Sequence, residues 1–486
     1  MSQFLDLPVE ILPLILGYLP KSQHLAHASL VSRTFSTFAV PQLYSRIAIY
    51  SWHKEGKTKV LQLFGTLASC PPLAHHVHRL EIRDFPKAVV SSEGDTLNFV
   101  VQGLRNCRNL HSCTWTRDGT LNSEILIALC LAPKLREIEF NGHSQGQYDP
   151  QILSRFRGLT KLSLIMPSSV VISQLDAMLR CSGGLLRHLT VICKTTGVVN
   201  DRVLETSGPL LTNLEQLYLT GCPKVTERGV ISVTDFTQVG LTGLGLEGVS
   251  PKFDMTAFAI HCNHRRSLAR LRSITLTVTR SMLDPKAWTS AVVSLLSQSP
   301  LERFHIYATS TPSDTGNFDD SVALLPLLPQ FLQDLVLTHG QRLTRFSIHR
   351  MPLGLQTIEA ICRGCNNLQE LFIVVEPRLL NALPDLLVHA TKLRAIHINY
   401  PTASQLEDES DNDGELGDPD HVLTASQTLN FVRRCGPSLF QFGCNTKVWQ
   451  VGREIEESLS GDKVARLCLL PYESPVIPEQ FLVVRT

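Results

Sequence analysis

Apolar residues recur along this chain as a spaced triplet, apolar-x-x-apolar-x-apolar. It appears at Val77, Leu80 and Ile82, then at Leu110, Cys113 and Trp115, and so on to Leu439, Phe442 and Cys444. Thirteen copies are clear, and a weaker fourteenth is Val464, Leu467 and Leu469. Most successive starts lie roughly 24–30 residues apart. Alternation at the last two apolar places predicts a strand with one face buried. Between the strands the spacing becomes helical, predicting helices over 121–131, 171–179, 289–296, 355–362 and 379–388. Ahead of the first copy, Ile47-x-Ile49 predicts a short strand, and a helical pattern covers 59–67. One strand plus one helix per period is one coil. Such a coil cannot bury its own apolar strand face, so the coils must stack into a common core.

The N-terminal stretch follows a different rule. Ile11, Leu12, Ile15, Leu16 and Leu19 share helical spacing, and after Pro20-Lys21-Ser22 come Leu25, Ala28, Leu30, Val31 and Phe35. A segment of about 40 residues rarely sustains its own core. So much apolar surface in so short a piece predicts a module that binds a partner. Pro13 falls inside the first helical pattern, where a proline removes a backbone donor and bends the chain. A regular helix is therefore expected to start only near Leu12.

This stretch resembles an F-box. Leu7, Pro8, Glu10, Ile11 and Leu12 match the family's opening; Ile15, Leu16 and Leu19 match its middle; Leu30, Val31, Ser32, Arg33 and Phe35 match its close. The resemblance implies docking to a Skp-type adaptor and, through it, to a cullin-based ubiquitin ligase. It assigns the adaptor contact to Leu7, Pro8, Ile11, Leu12, Ile15, Leu16 and Val31. The triplet's period is that of leucine-rich repeats. The copy beginning at Leu214 is similar to the cysteine-containing subtype, with Cys222 where other subtypes place Asn. Together these imply an α/β chain: a short all-helical F-box over 1–44, then a leucine-rich-repeat solenoid over 45–486. In such a solenoid the parallel strands line the concave side and the helices the convex side. The implied role is a substrate-recognition subunit, non-catalytic and without a cofactor. The alternative is a scaffold or regulator that binds the adaptor or another protein without a cullin-dependent role.

In that register the residues between the apolar places point outward and offer a binding face. Tyr218, Arg303, His305, Tyr307, Arg345, His349 and Phe372 are the candidate substrate contacts, because aromatics and Arg dominate interface energetics. Two spacings are long. The segment 309–318 is rich in Ser, Thr, Pro, Asp and Gly and is predicted to be a loop. The segment 407–420 carries eight acidic residues and no basic one, which predicts a flexible acidic insertion at about 405–421. Within it, Glu409, Asp411, Asp413, Gly414 and Asp420 echo the spacing of a calcium loop. Glu at its first place and Pro419 beside its last favour a plain solvated segment.

Composition narrows the picture further. Lys plus Arg number 45 against 44 Asp plus Glu, a formal charge of +1. That balance supplies no steering toward nucleic acid or anionic lipid. The N-terminus has no basic-then-apolar leader and no apolar run approaches membrane length. With thirteen scattered cysteines, the expectation is a reducing cytoplasmic or nuclear setting. Nucleotide-binding, hydrolase and metalloprotease motifs are missing, so no enzyme is predicted. Cys362-x-x-Cys365 has no second pair to complete a zinc set, and no metal is predicted.

Overall fold

The chain begins in a computed structural model with three helices that share one small core. The model describes residues 8–19, 21–51, 55–91, 95–144, 146–279, 282, 284–308, 324–400, 423–457 and 463–472. Leu7, the loop at 309–318 and the acidic insertion lie outside the described residues. A 3-10 turn, Val9–Ile11, leads into α1 (Leu12–Gly17), followed by α2 (Ser22–Ser29) and α3 (Arg33–Ser45). Pro13 sits in the first turn of α1, where a backbone N–H would have had no intrahelical partner. Its carbonyl accepts a hydrogen bond from Gln42 Nε2 on α3 at 2.7 Å. The proline thus starts the helix instead of kinking it. The Ser32 side chain accepts from Phe35 N and caps α3.

The chain packs as two units, one reaching Lys224 and the other running from Val225 to Tyr472, except that Phe236–Val239 belongs with the first. In the first unit, β1 (Arg46–Ile49) follows α3 without a linker. Then come β2 (Arg79–Ile82), β3 (Ser112–Trp115), β4 (Glu137–Asn141), β5 (Lys161–Ile165), β6 (His188–Ile192) and β7 (Gln216–Thr220). Each pairs in parallel with the next in chain order. The register aligns the triplets: Leu80 meets Cys113, and Ile82 meets Trp115. These side chains are fully buried, so repeat spacing in the sequence becomes a stacked apolar row in space.

The second unit repeats the plan with β8 (Gly243–Glu247), β9 (Ser273–Val278), β10 (Arg303–Ala308), β11 (Arg345–Pro352), β12 (Glu370–Val374), β13 (Ala395–Asn399) and β14 (Gln441–Cys444). These too are parallel in chain order. Several of the helices between strands, in both units, open on Asn, Asp or Thr caps. Asn122 accepts from Ile125 N, Asp284 accepts from Ala287 N, and Thr424 forms a full capping box with Gln427. Such caps satisfy amides that the helix itself cannot. Two predicted helices are broken: 171–179 becomes Ser169–Ser173 and Leu175–Ser182, and 379–388 becomes a 3-10 turn before Leu383–Leu387.

The fourteenth triplet is not another coil. Val464, Leu467 and Leu469 lie on β16 (Lys463–Pro471), antiparallel to β15 (Lys447–Glu457), which is itself antiparallel to β14. Only Asn445 and Thr446 separate β14 from β15, whereas a parallel crossover needs about a dozen residues. Asn445 adopts φ 47°, the left-handed conformation such a tight turn uses. Among the described residues, no helix is long and apolar enough to cross a membrane.

Candidate docking surfaces

Almost every position of the first helix is apolar, so sequence alone cannot say which stripe faces inward. The structure separates them. Leu12 and Leu16, one turn apart, are buried with Ala39 of α3. Leu14, Ile15 and Tyr18 lie on the other side and are 65%, 39% and 88% exposed. On the α2–α3 turn, Leu30 and Val31 are exposed as well, 83% and 67%. Of the seven residues assigned to adaptor contact, Pro8, Ile15 and Val31 are exposed, Ile11 is half-buried and Leu7 is outside the described residues. Leu12 and Leu16 correct the assignment: they hold α1 against α3 and have no surface left to offer. Leu14, Tyr18 and Leu30, outside the assigned set, are exposed apolar residues of the same domain. The i, i+4 spacing of Leu14 and Tyr18 was visible, but nothing marked it as the outer stripe.

The outward strand faces differ between the units. In the first unit they carry alternating charge that is already paired: Arg46 with Glu81 at 2.9 Å, Arg83 with Glu139 at 3.0 Å and Arg79 with Glu137 at 3.5 Å. Tyr218 is half-buried on β7, in this unit and therefore apart in the chain from the other candidates. Partly exposed pairs of this kind contribute only about 0–1 kcal/mol, and they leave the face polar.

In the second unit the outward positions form a row of rings. Tyr307 of β10 stacks on its register partner His349 of β11, with centroids 4.5 Å apart and planes 6° from parallel. His349 is 6.3 Å from Phe372 of β12, and Phe372 is 6.2 Å from His397 of β13. The Arg345 guanidinium lies 4.5 Å above the Phe372 ring and pairs with Glu370 at 2.9 Å. A bulge makes the diagonal contact. The β11–β12 register slips between Ser347 and Pro352, with Arg350 at φ 62°, and bulges re-aim side chains in this way. His397 closes the row: its Nε2 donates to the Asn445 carbonyl at 2.9 Å, which fixes that nitrogen as the protonated one. Gly443 is required opposite, because a Cβ there would lie 1.9 Å from His397 Nδ1.

The row brings together Tyr307, Arg345, His349 and Phe372 as expected, with Arg303 exposed beside them. Two of the candidates are not surface residues. His305 and Phe372 are 5% and 4% exposed, and the Arg345 guanidinium covers the Phe372 ring. Burial lowers the pKa of His305 well below the usual imidazole value, that of His349 to about 3 and that of His397 to about 4. Nearby positive charge, including Arg345, acts in the same direction on His305 and His349. The rings are therefore neutral at physiological pH, and the face is aromatic more than basic. The CxxC pair is buried, and its thiols are pushed up to about 12, values at which they are inert.

A helical module with an uncovered apolar face, leading into stacked strand–helix coils, defines an F-box-like domain joined to a leucine-rich-repeat fold. Residues 4–50 match the F-box-like family model. No curated protein matches the sequence. Two solved structures are similar in fold. One is the leucine-rich repeat-containing protein LegL7 of Legionella pneumophila, with 10% identity, 66% of this chain and 97% of that chain covered, and a TM-score of 0.40. The other is from the yeast Rad7–Elc1 complex, with 12% identity, 82% and 93% covered, and a TM-score of 0.39. At those scores the repeat fold rests on the strand register itself.

Proposed function

We propose that this chain is a substrate receptor for a Skp–cullin–F-box type of ubiquitin ligase. The observation that carries the reading is the exposed apolar set Leu14, Ile15, Tyr18, Leu30 and Val31, with Val9 exposed beside them, on one small helical domain. Leaving five such side chains in water is costly, and a Skp-type adaptor laid over them removes that cost. The chain performs no chemistry itself. It holds a bound protein near the ubiquitin-charged enzyme, raising the effective concentration of a target lysine. The Tyr307–His349–Phe372–His397 row, with Arg303 and Arg345, is the proposed substrate face. Tyr307 and His349 are the accessible parts, and Arg345 is the group that must shift for Phe372 to be reached.

The test is affinity purification of the full chain with the cullin inactivated, so that substrates are held rather than degraded. Wild type should retain adaptor, cullin and at least one further protein. Ile15→Asp with Leu30→Asp should lose adaptor and cullin together. Tyr307→Ala with Arg303→Ala should keep both but release the further protein. Adaptor without cullin would favour a scaffold role, and undiminished adaptor binding by the Ile15/Leu30 variant would remove the docking claim.

A further inference from the structure

The outward face of the second unit carries a charge imbalance that the arginines of the first unit do not. There Arg46, Arg79 and Arg83 each have a carboxylate of their own. On the outward positions of β10 to β13 the charged side chains are Arg303, Arg345 and Glu370. Glu370 is taken by Arg345 at 2.9 Å, and Glu302, next to Arg303 in the chain, is taken by Arg272. Arg303 is exposed, and among the described residues its side chain has no acidic partner. Its direct register partner on β11 is Arg345. Like charges opposed in this way repel each other, and an anion laid across the two removes the repulsion.

Two further observations show what else meets such an anion. Two residues along β10, on the same outward side, His305 is 5% exposed and its Nδ1 has no hydrogen-bond partner among the described residues. Buried polar atoms are nearly always paired, so this place is one polar group short. Four residues beyond Arg303, about 13 Å along the strand, Tyr307 stacks on His349. Both rings are half-buried and together present a flat, uncharged surface to an aromatic or large aliphatic side chain. One uncompensated cation beside that surface suits a single carboxylate, whereas a nucleic acid is held by many cations at once.

Building on the proposed substrate face, we infer that it selects protein segments in which an Asp or Glu side chain lies within about four residues of an aromatic or large aliphatic one. The carboxylate lies across Arg303 and Arg345, and the apolar side chain lies on the Tyr307–His349 stack. Arg303 determines the specificity, since its charge has no other acid to meet. Arg345 contributes from the neighbouring strand without giving up Glu370, because a guanidinium carries several N–H donors in a planar fork.

The probe is a phage-displayed library of short random peptides, selected on the full chain and counter-selected on Tyr307→Ala. The selected pool should be enriched several-fold over the starting library in Asp or Glu within four positions of Phe, Tyr, Trp, Leu or Ile. For a selected peptide made synthetically, Arg303→Ala should raise Kd at least about tenfold. Added salt should weaken its binding to wild type more than to Arg303→Ala. Arg303→Glu should reject the peptide yet bind its counterpart with Lys in place of the acidic residue, an exchange that damage to the fold cannot produce. Thermal unfolding of both Arg303 variants should match wild type. Peptides that need Tyr307 but carry no acidic enrichment, or that bind Arg303→Glu undiminished, overturn the inference and leave the substrate face standing. A library that yields no pool preferring wild type to Tyr307→Ala overturns the face itself and the inference with it.

Discussion

Replacing Leu30 and Val31 together by Ala separates docking from folding in the F-box-like domain. In the free chain these side chains are 83% and 67% exposed, so they contribute little to the domain's own stability. Covering a Leu or Val completely is worth about 1.5–3 kcal/mol each. Scaled by the exposed fractions and allowing for the methyl that Ala keeps, the pair should contribute about 2–3 kcal/mol to a complex that covers them. That corresponds to a roughly 30- to 150-fold rise in Kd. The unfolding free energy should move by no more than about 0.5 kcal/mol per substitution. Leu16→Ala should do the opposite. Leu16 is 2% exposed, and truncating a buried Leu costs about 2–5 kcal/mol of stability, so binding fails through loss of the domain. The assay is isothermal titration of the full chain with purified Skp-type adaptor, paired with thermal unfolding of each variant. An unchanged Kd for the Leu30/Val31 double variant would refute the reasoning, as would a stable Leu16→Ala chain that binds weakly.

Three further outcomes follow from the same geometry. The pKa of His397 and of His339 is depressed to about 4, and that of His349 to about 3, chiefly by burial. Their folded values lie below the unfolded imidazole value, so the stabilisation is complete above about pH 6.5 and is lost as pH falls toward 4, with up to about 1.4 kcal/mol per pH unit for each buried ring; urea midpoints from pH 7.5 to 4.5 should trace that decline. His339 is buried on the helix Leu328–His339, and among the described residues neither ring nitrogen has a partner. His339→Leu should therefore raise stability by about 1–3 kcal/mol and flatten the pH slope, and a loss of stability would contradict the unpartnered ring. Gly221→Ala should cost at least about 1–3 kcal/mol, since it meets both a left-handed backbone and the Cys193 carbonyl. Gly184→Ala, whose Cβ would meet nothing within 4 Å, should be close to neutral by the same denaturant assay.

What the sequence determined by itself is the repeat. The triplets from Val77 to Leu439 fall on β2 to β14 in order, because a strand that must bury one face has to alternate, and stacked coils have to share a register. The N-terminal match was equally legible, since its matching positions come in a fixed order. Three things needed the tertiary structure. Which stripe of α1 faces out was hidden because nearly every position on that helix is apolar, and only contact with α3 assigns Leu12 and Leu16 inward. The last coil was misread because a hairpin strand and a repeat strand share the same alternation, and only the two-residue β14–β15 connection forces antiparallel pairing. The outward positions were expected to offer a binding face, yet His305 and Phe372 are buried, Phe372 beneath Arg345 of the neighbouring strand. Alternation fixes which way a side chain leaves its strand; what lies over it is decided by the strands placed alongside.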